Sequence, residues 1–325
     1  MQKLIKTTQR LSQVALVLFL VTFLVTVLVR LLPGDIVTAL IPFGTEEEQA
    51  QLRSELGLDT NIFVYYFRWL GSFLQGDLGI YYAPGESYSD ASYTVWAMLS
   101  LTIPRTLLIM VYTLGFSLLC SIPLGMLLAY KADTRTDKAS SNILFGLSSI
   151  PNFAVGLGLA YILGVKFELL NPIGYVTWAE GPAEHIKSMI MPVLSLSIGL
   201  IATFTRLLRA DIISTLKEDF VTMASSKGLS NRWILWKHVF RPSSLSLLTA
   251  AALNMGSLIG GAVVIEVIFA LNGVGMFLVT SIALRQYLAI QSTVALIAIS
   301  YIAFNLIVDA FMPKIDPRIR SHNGA

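Results

Sequence analysis

Apolar residues in this chain fall into long blocks rather than the short runs that build a water-soluble core. The blocks cover residues 14–29, 103–129, 143–163, 189–208, 245–269 and 287–311. A helix needs roughly 20 mostly apolar residues to cross the hydrocarbon layer, and most of these stretches reach that length. The pattern predicts an all-α polytopic membrane protein with six transmembrane helices. Residues 1–32 are read as an amino-terminal segment and first helix, and 33–100 as an extended extracytoplasmic segment. Residues 101–312 form a five-helix core, and 313–325 a tail.

Segment 33–100 is polar and mixed, with Glu46, Glu47 and Glu48 in a row. Inside it, Phe63, Tyr65, Tyr66, Phe67 and Trp69 crowd into a run too short to span. Two readings fit: a helix within a small folded loop, or a helix lying at headgroup level, where Tyr and Trp are favoured. Pro104 is expected in the first turn of the second helix, where its missing N–H costs nothing. Pro123, Pro151 and Pro192 fall inside their stretches and invite kinks. Gly256 and Gly260 form a G-x-x-x-G that allows close helix approach within one bundle.

Charge placement orients the spans. Lys3, Lys6 and Arg10 precede the first block, as they would in a signal peptide. The block is long for that role, and no A-x-A site follows it, so it reads as a membrane helix. With the amino terminus in the cytoplasm, the inner segments hold those three residues together with Lys131, Arg135 and Lys138. They also hold Arg206, Arg209, Lys217, Lys227, Arg232, Lys237, Arg241, Lys314, Arg318 and Arg320, giving 16 of the 23 Lys and Arg residues. The positive-inside rule then selects cytoplasmic termini.

Composition narrows the chemistry. Hydrophobic residues make up 55% of the chain and charged residues 13%, about half the charged share of a soluble domain. A net charge of +3 does not point to nucleic acid. Cys120 stands alone, and His185, His238 and His322 lack zinc-site spacing, so no cofactor or metal is expected on this chain.

The inner stretch 209–243 is longer than a connection requires. It is basic, with Phe220, Val221, Ala224, Leu229, Ile234, Leu235 and Val239 as internal apolar positions. A helix, a turn and a second short amphipathic helix fit it. Ser214 and Thr215 are the nearest caps for the first helix, Gly228 ends it in a left-handed conformation, and Ser230 caps the second. Such a structured element reads as a surface that meets another protein.

These residues carry a resemblance. The chain resembles the permease subunits of ATP-binding-cassette importers for dipeptides, oligopeptides and nickel, specifically the first permease of the usual pair. The shared cytoplasmic motif, Glu-Ala-Ala, three residues, then Gly, corresponds to Thr222, Met223, Ala224 and Gly228, within the run from Glu218 to Ser230 followed by Lys237, His238, Val239, Phe240 and Arg241. The Glu and first Ala are absent, and Pro242 and Ser246 depart from the usual exit. Further matches are Leu32-Pro33-Gly34-Asp35, Leu56-Gly57-Leu58-Asp59, Arg68-Trp69-Leu70, Gly76-Asp77-Leu78-Gly79, Glu266, Phe269, Gly273, Gly275 and Asp316-Pro317-Arg318-Ile319-Arg320.

The resemblance implies a type I importer permease fold in a prokaryotic plasma membrane. The implied partners are a second homologous permease, two ATP-binding subunits that hold ATP and Mg, and an external solute-binding protein. It implies that Glu218, Thr222, Met223, Ala224, Gly228, Leu229, His238 and Arg241 dock on the ATPase. Ala224 and Gly228 are expected to offer it a small-residue surface. Glu266, Gly260 and Gly261 are translocation or gating candidates, with Glu266 read first as a structural residue ending the fifth span. Two other functions stand beside this one. An ion-coupled carrier would place ionisable groups at mid-membrane, whereas Arg105, Glu266 and Asp309 sit nearer span ends. A membrane scaffold without transport is the other.

Overall fold

The computed structural model describes residues 2–31, 37–38, 45–82 and 92–315. The motifs Leu32-Pro33-Gly34-Asp35 and Asp316-Pro317-Arg318-Ile319-Arg320 lie outside the described residues, as do His322 and the Asp309 side chain. Among the described residues, five helices are long and apolar enough to cross a membrane, and a bent pair makes a sixth crossing if it counts as one span. The helices are α1 (Gln2–Leu31), α2 (Glu46–Glu55), α3 (Ile62–Leu74), α4 (Val95–Tyr130), α5 (Arg135–Ser148) and α6 (Asn152–Lys166). They continue with α7 (Pro182–Thr215), α8 (Asp219–Ser226), α9 (Asn231–Phe269), α10 (Val274–Ala283) and α11 (Tyr287–Ile315). Strands β1 (Ile80–Tyr82) and β2 (Ser92–Thr94) pair antiparallel, with Tyr81 opposite Tyr93.

Three local features differ from the sequence reading. Helix α4 starts well before its apolar block because Thr94 caps it, its Oγ1 accepting the Ala97 N–H at 3.2 Å. Pro104 therefore lies in the helix interior and not in the first turn. The third block is divided: α5 and α6 meet at 93° across a break that ends at Pro151. Proline disfavours helical geometry at the residue before it and has no N–H to give, so the chain turns there. The short apolar helix α10 and the β-hairpin were not expected; each is too short to register as a span.

The chain folds as two compact units, and α4 and α11 belong partly to each. The first comprises Met1–Arg105 and Asn272–Ile302. Its core gathers Val29, Leu52, Tyr82, Tyr287 and Ile290, with Leu78, Val95, Leu99, Val274 and Ala289 in a neighbouring cluster. Polar side chains stitch segment 45–82 to α1 and α11. Gln286 receives the Tyr82 N–H at 3.1 Å and donates to the Tyr82 carbonyl at 2.8 Å, acting as a strand neighbour. Trp69 donates its indole N–H to Ser292 at 3.1 Å, and Ser292 donates to the Leu78 carbonyl at 2.7 Å. Arg30 donates to the Thr60 carbonyl at 2.8 Å and lies 4.9 Å from the centre of the Tyr65 ring. Burial pushes the Tyr65 phenol up to about 12, so it stays neutral.

Helix α3 packs its inner side, Tyr65, Tyr66 and Trp69, into this unit. Phe63, Val64 and Phe67 remain exposed. Phe63 stacks on Phe23 of α1 at 5.4 Å.

The second unit comprises Thr106–Leu271 and Ala303–Ala325. Helix α7 is central in it, packed by α5, α6 and α9. Gly156 of α6 allows that closeness, since a Cβ there would come within 3.1 Å of Ile265 and 3.4 Å of Ser195. At one end of the unit, Met126, Phe204, Leu208, Ile212, Leu247 and Ala251 form a core that the α8 segment seals.

Candidate functional site

The α8 segment is built from alternating commitments. Val221 and Ala224 turn inward, 8% and 7% exposed, and join Ile234, Leu235 and Val239 in the core beneath. On the opposite face Phe220 and Met223 stay exposed, at 41% and 60%. These pairs follow the helical period, so one face fixes the helix and the other is left for contact. Ala224 thus sits against the permease itself rather than presenting a small surface outward. Phe220 and Leu229, expected among the internal positions with Val221, are instead exposed, because the helix turns only Val221 and Ala224 inward.

The turn after α8 is closed by Gly228 at φ +76°. Its N–H reaches the Ser225 carbonyl at 2.9 Å, and the Leu229 N–H reaches the Ala224 carbonyl at 3.4 Å. This pair of bonds is the Schellman arrangement, which needs a left-handed residue at that position. A Cβ on Gly228 would meet nothing within 4 Å, so the requirement is conformational and not steric. Ser230 caps the next helix, accepting the Trp233 N–H at 3.4 Å.

Two expectations here are corrected. Helix α8 starts at Asp219 behind Glu218 at the N-cap position, which makes no side-chain cap, while Ser214 and Thr215 close the last turn of α7. The helix after Ser230 is not separate but runs into the fifth span through a wide π-turn, Ile234–Val239. That turn lies just ahead of Pro242, which crowds the preceding carbonyls and donates no hydrogen bond. Glu218, Thr222, Leu229 and Arg241 are exposed and His238 half-buried. Trp233 and Trp236, which sequence reasoning did not single out, are exposed at 50% and 57%, with Lys237 lying 5.0 Å from the Trp233 ring centre.

The second candidate group lies on α9. Glu266 is 1% exposed, and Thr106 of α4 donates to its Oε1 at 2.6 Å. The end of α9 is closed by Ala270 in the left-handed region and by the Leu271 N–H on the Glu266 carbonyl at 3.0 Å. Gly260 faces open space, whereas Gly261 faces Leu196 of α7 and Asn152 of α6. The structure does not bring this group together with α8. Among the described residues no three His, Cys, Asp or Glu side chains cluster as metal ligands.

Residues 121–321 match the family described as the binding-protein-dependent transport system inner membrane component, a stretch that includes the whole α8 segment. The chain belongs to this family. It is an ABC transporter permease, a multi-pass inner-membrane protein, and not itself an enzyme. The permease is 30% identical over 321 residues to the probable peptide ABC transporter permease protein y4tP of Sinorhizobium fredii, covering 98% of each chain. It is 30% identical over 313 residues to a putative peptide transport system permease protein of Brucella abortus, covering 96% of this chain and 98% of the relative. It is also 29% identical over 313 residues to the glutathione transport system permease protein GsiC of Escherichia coli O6:H1, covering 96% and 97%. A solved inward-facing structure of the MetNI methionine ABC transporter has a similar fold. Its TM-score is 0.56 at 15% identity, covering 68% of the permease and 97% of that chain. The fold is therefore of the MetNI permease type.

Proposed function

We propose that this permease carries a di- or oligopeptide into the cell within an importer driven by ATP and fed by a solute-binding protein. The observation that carries the coupling half of this reading is the divided α8 helix. Its inner face is sealed into the core through Val221 and Ala224, while Phe220 and Met223 stand outward. Exposed apolar side chains on a rigidly anchored helix are the composition of a docking surface. Peptide as the solute is supported by the names of the similar permeases.

The partners are a second homologous permease, two ATPase subunits holding ATP and Mg, and an external binding protein. Glu218, Thr222, Met223, Gly228, Leu229, His238 and Arg241 form the contact with the ATPase, with Phe220 added and Ala224 beneath it. Gly260 and Gly261 serve gating or the route itself, and Glu266 holds that end of α9 in place through Thr106. Both termini lie in the cytoplasm, following the basic residues.

Reconstitution tests this reading. Vesicles holding the complete complex are expected to accumulate peptide only when ATP and the loaded binding protein are both present. Uptake that follows an ion gradient without ATP would assign the chain to the carriers, and no uptake of any peptide would remove the substrate class.

A further inference from the structure

Helix α7 is a spanning helix, yet between Met189 and Thr215 it turns no large apolar side chain outward. Within the span its one exposed position is Thr203, and Arg206, Ala210 and Ser214 follow at its cytoplasmic end. Helix α4, by contrast, exposes Leu101, Leu107, Val111, Leu119, Leu124 and Leu127, the surface a lipid-facing helix needs. Packed by α5, α6 and α9, α7 is left open within the span at a polar position, Thr203.

Asn152, the first residue of α6, lies across this face. Its Oδ1 is 3.6 Å from where Gly199 of α7 would carry a Cβ, and its Nδ2 is 3.9 Å from the same point on Gly261 of α9. The amide therefore reaches both helices where neither has a side chain. Thr203 follows Gly199 by one turn, and Ser257 and Asn254 precede Gly261 by one and two turns, so they share the faces that meet Asn152. The Thr203 hydroxyl donates to the Gly199 carbonyl at 3.0 Å and that of Ser257 to the Asn254 carbonyl at 2.9 Å. Their oxygens remain acceptors. The Asn254 amide gives one hydrogen to the Ala250 carbonyl at 2.8 Å. The Asn152 amide has no hydrogen-bond partner among the described residues.

We propose that Asn152, Thr203, Asn254 and Ser257 line the aqueous route through this permease and hydrogen-bond the backbone of the passing peptide. The inference rests on the assignment of the chain as a peptide permease. The four side chains are uncharged, and together they offer donors and acceptors to the N–H and C=O groups that every peptide repeats. A bound anion or metal chelate would instead call for fixed charge at the contact. In hydrocarbon, unpaired amides are costly, whereas a water-filled route keeps them solvated between substrates.

Single cysteines at Asn152, Thr203 and Ser257, in a Cys120→Ala background, test this in the complete reconstituted importer, with Leu119→Cys as the lipid-facing control. A membrane-impermeant methanethiosulfonate is expected to modify the three positions and leave Leu119→Cys unreacted. Modification is expected to stop uptake, and saturating peptide to slow labelling several-fold. If the three sites react only with a lipid-soluble maleimide, or become closed to every reagent on assembly with the second permease, the route lies elsewhere. Labelling that peptide does not slow overturns backbone recognition. Where the cysteine variants still take up peptide under either of these results, the failure belongs to this inference and not to the permease assignment.

Discussion

Arg209 holds Asp137 with two parallel hydrogen bonds, Nε to Oδ1 at 2.7 Å and Nη2 to Oδ2 at 2.6 Å. The pair joins the start of α5 to α7, near the end of α7 that leads into α8. The Asp137 side chain is 3% exposed and that of Arg209 24%, and Asp137 also accepts the Asp133 N–H at 3.0 Å. Because Arg209 is only partly buried, removing the acid costs about 2 kcal/mol, the order of lost hydrogen bonds to a charged group. Asp137→Asn is expected to lower thermal stability in detergent by that order. Arg209→Lys should recover only part of it, because a lysine cannot reproduce the fork. A lysine variant as stable as the parent would show that the two-pronged geometry is irrelevant.

Glu266 is expected to be a structural anchor. Thr106→Val removes one hydrogen bond to a buried carboxylate, a loss of about 2 kcal/mol, seen as a lower unfolding midpoint. Glu266→Gln keeps an acceptor for Thr106 and is expected to preserve folding, ATPase coupling and the range of solutes carried. A changed solute range in a well-folded Glu266→Gln variant would place this residue in recognition instead.

His185 secures the connection between α6 and α7 through a one-directional chain of hydrogen bonds. Its Nδ1 lies 2.7 Å from the Val176 carbonyl, which only accepts, so Nδ1 carries the proton. Nε2 then accepts from the Tyr112 hydroxyl at 3.2 Å, and that oxygen accepts the Trp178 indole N–H at 3.1 Å. Tyr112→Phe breaks two of these bonds. Hydrogen exchange across residues 167–181 should accelerate by roughly thirtyfold, corresponding to about 2 kcal/mol. Unchanged exchange would mean that the connection is held by packing alone.

Orientation is checked by labelling single cysteines in a Cys120-free background with an impermeant maleimide. Ala179→Cys is expected to react from outside and Ser225→Cys only after the membrane is opened. Outside access at Ser225 would reverse the topology.

The spans were legible because the membrane imposes one simple requirement, about 20 apolar residues per crossing. Their ends were less so, since caps such as Thr94 and Thr134 extend α4 and α5 into polar sequence that hydropathy discounts. The break at Pro151 was signalled by the proline itself, but not its size, 93°. In the α8 segment, Gly228 and Ser230 carried recognisable turn and cap chemistry. Ala224 was read both as an internal position and as part of the docking surface, because a small residue suits either face of a helix; the structure keeps only the first. The polar face around Asn152 was invisible in sequence, where its members are spread over three helices.

The exposed face of α8 is proposed to couple the permease to its motor. Gly228→Ala strains only the left-handed turn, by about 1 kcal/mol, because the site is open within this chain. Ala224→Asp would damage the permease's own core and so tests folding more than docking. Met223→Asp and Gly228→Asp are the informative variants. The decisive measurement is co-purification of the ATPase subunits with each inserted variant, read beside ATP-driven uptake in vesicles. Both variants are expected to insert with all spans intact, to lose the ATPase on purification and to abolish uptake. Normal assembly and normal uptake by the two aspartate variants would contradict the assignment of this surface as the coupling site.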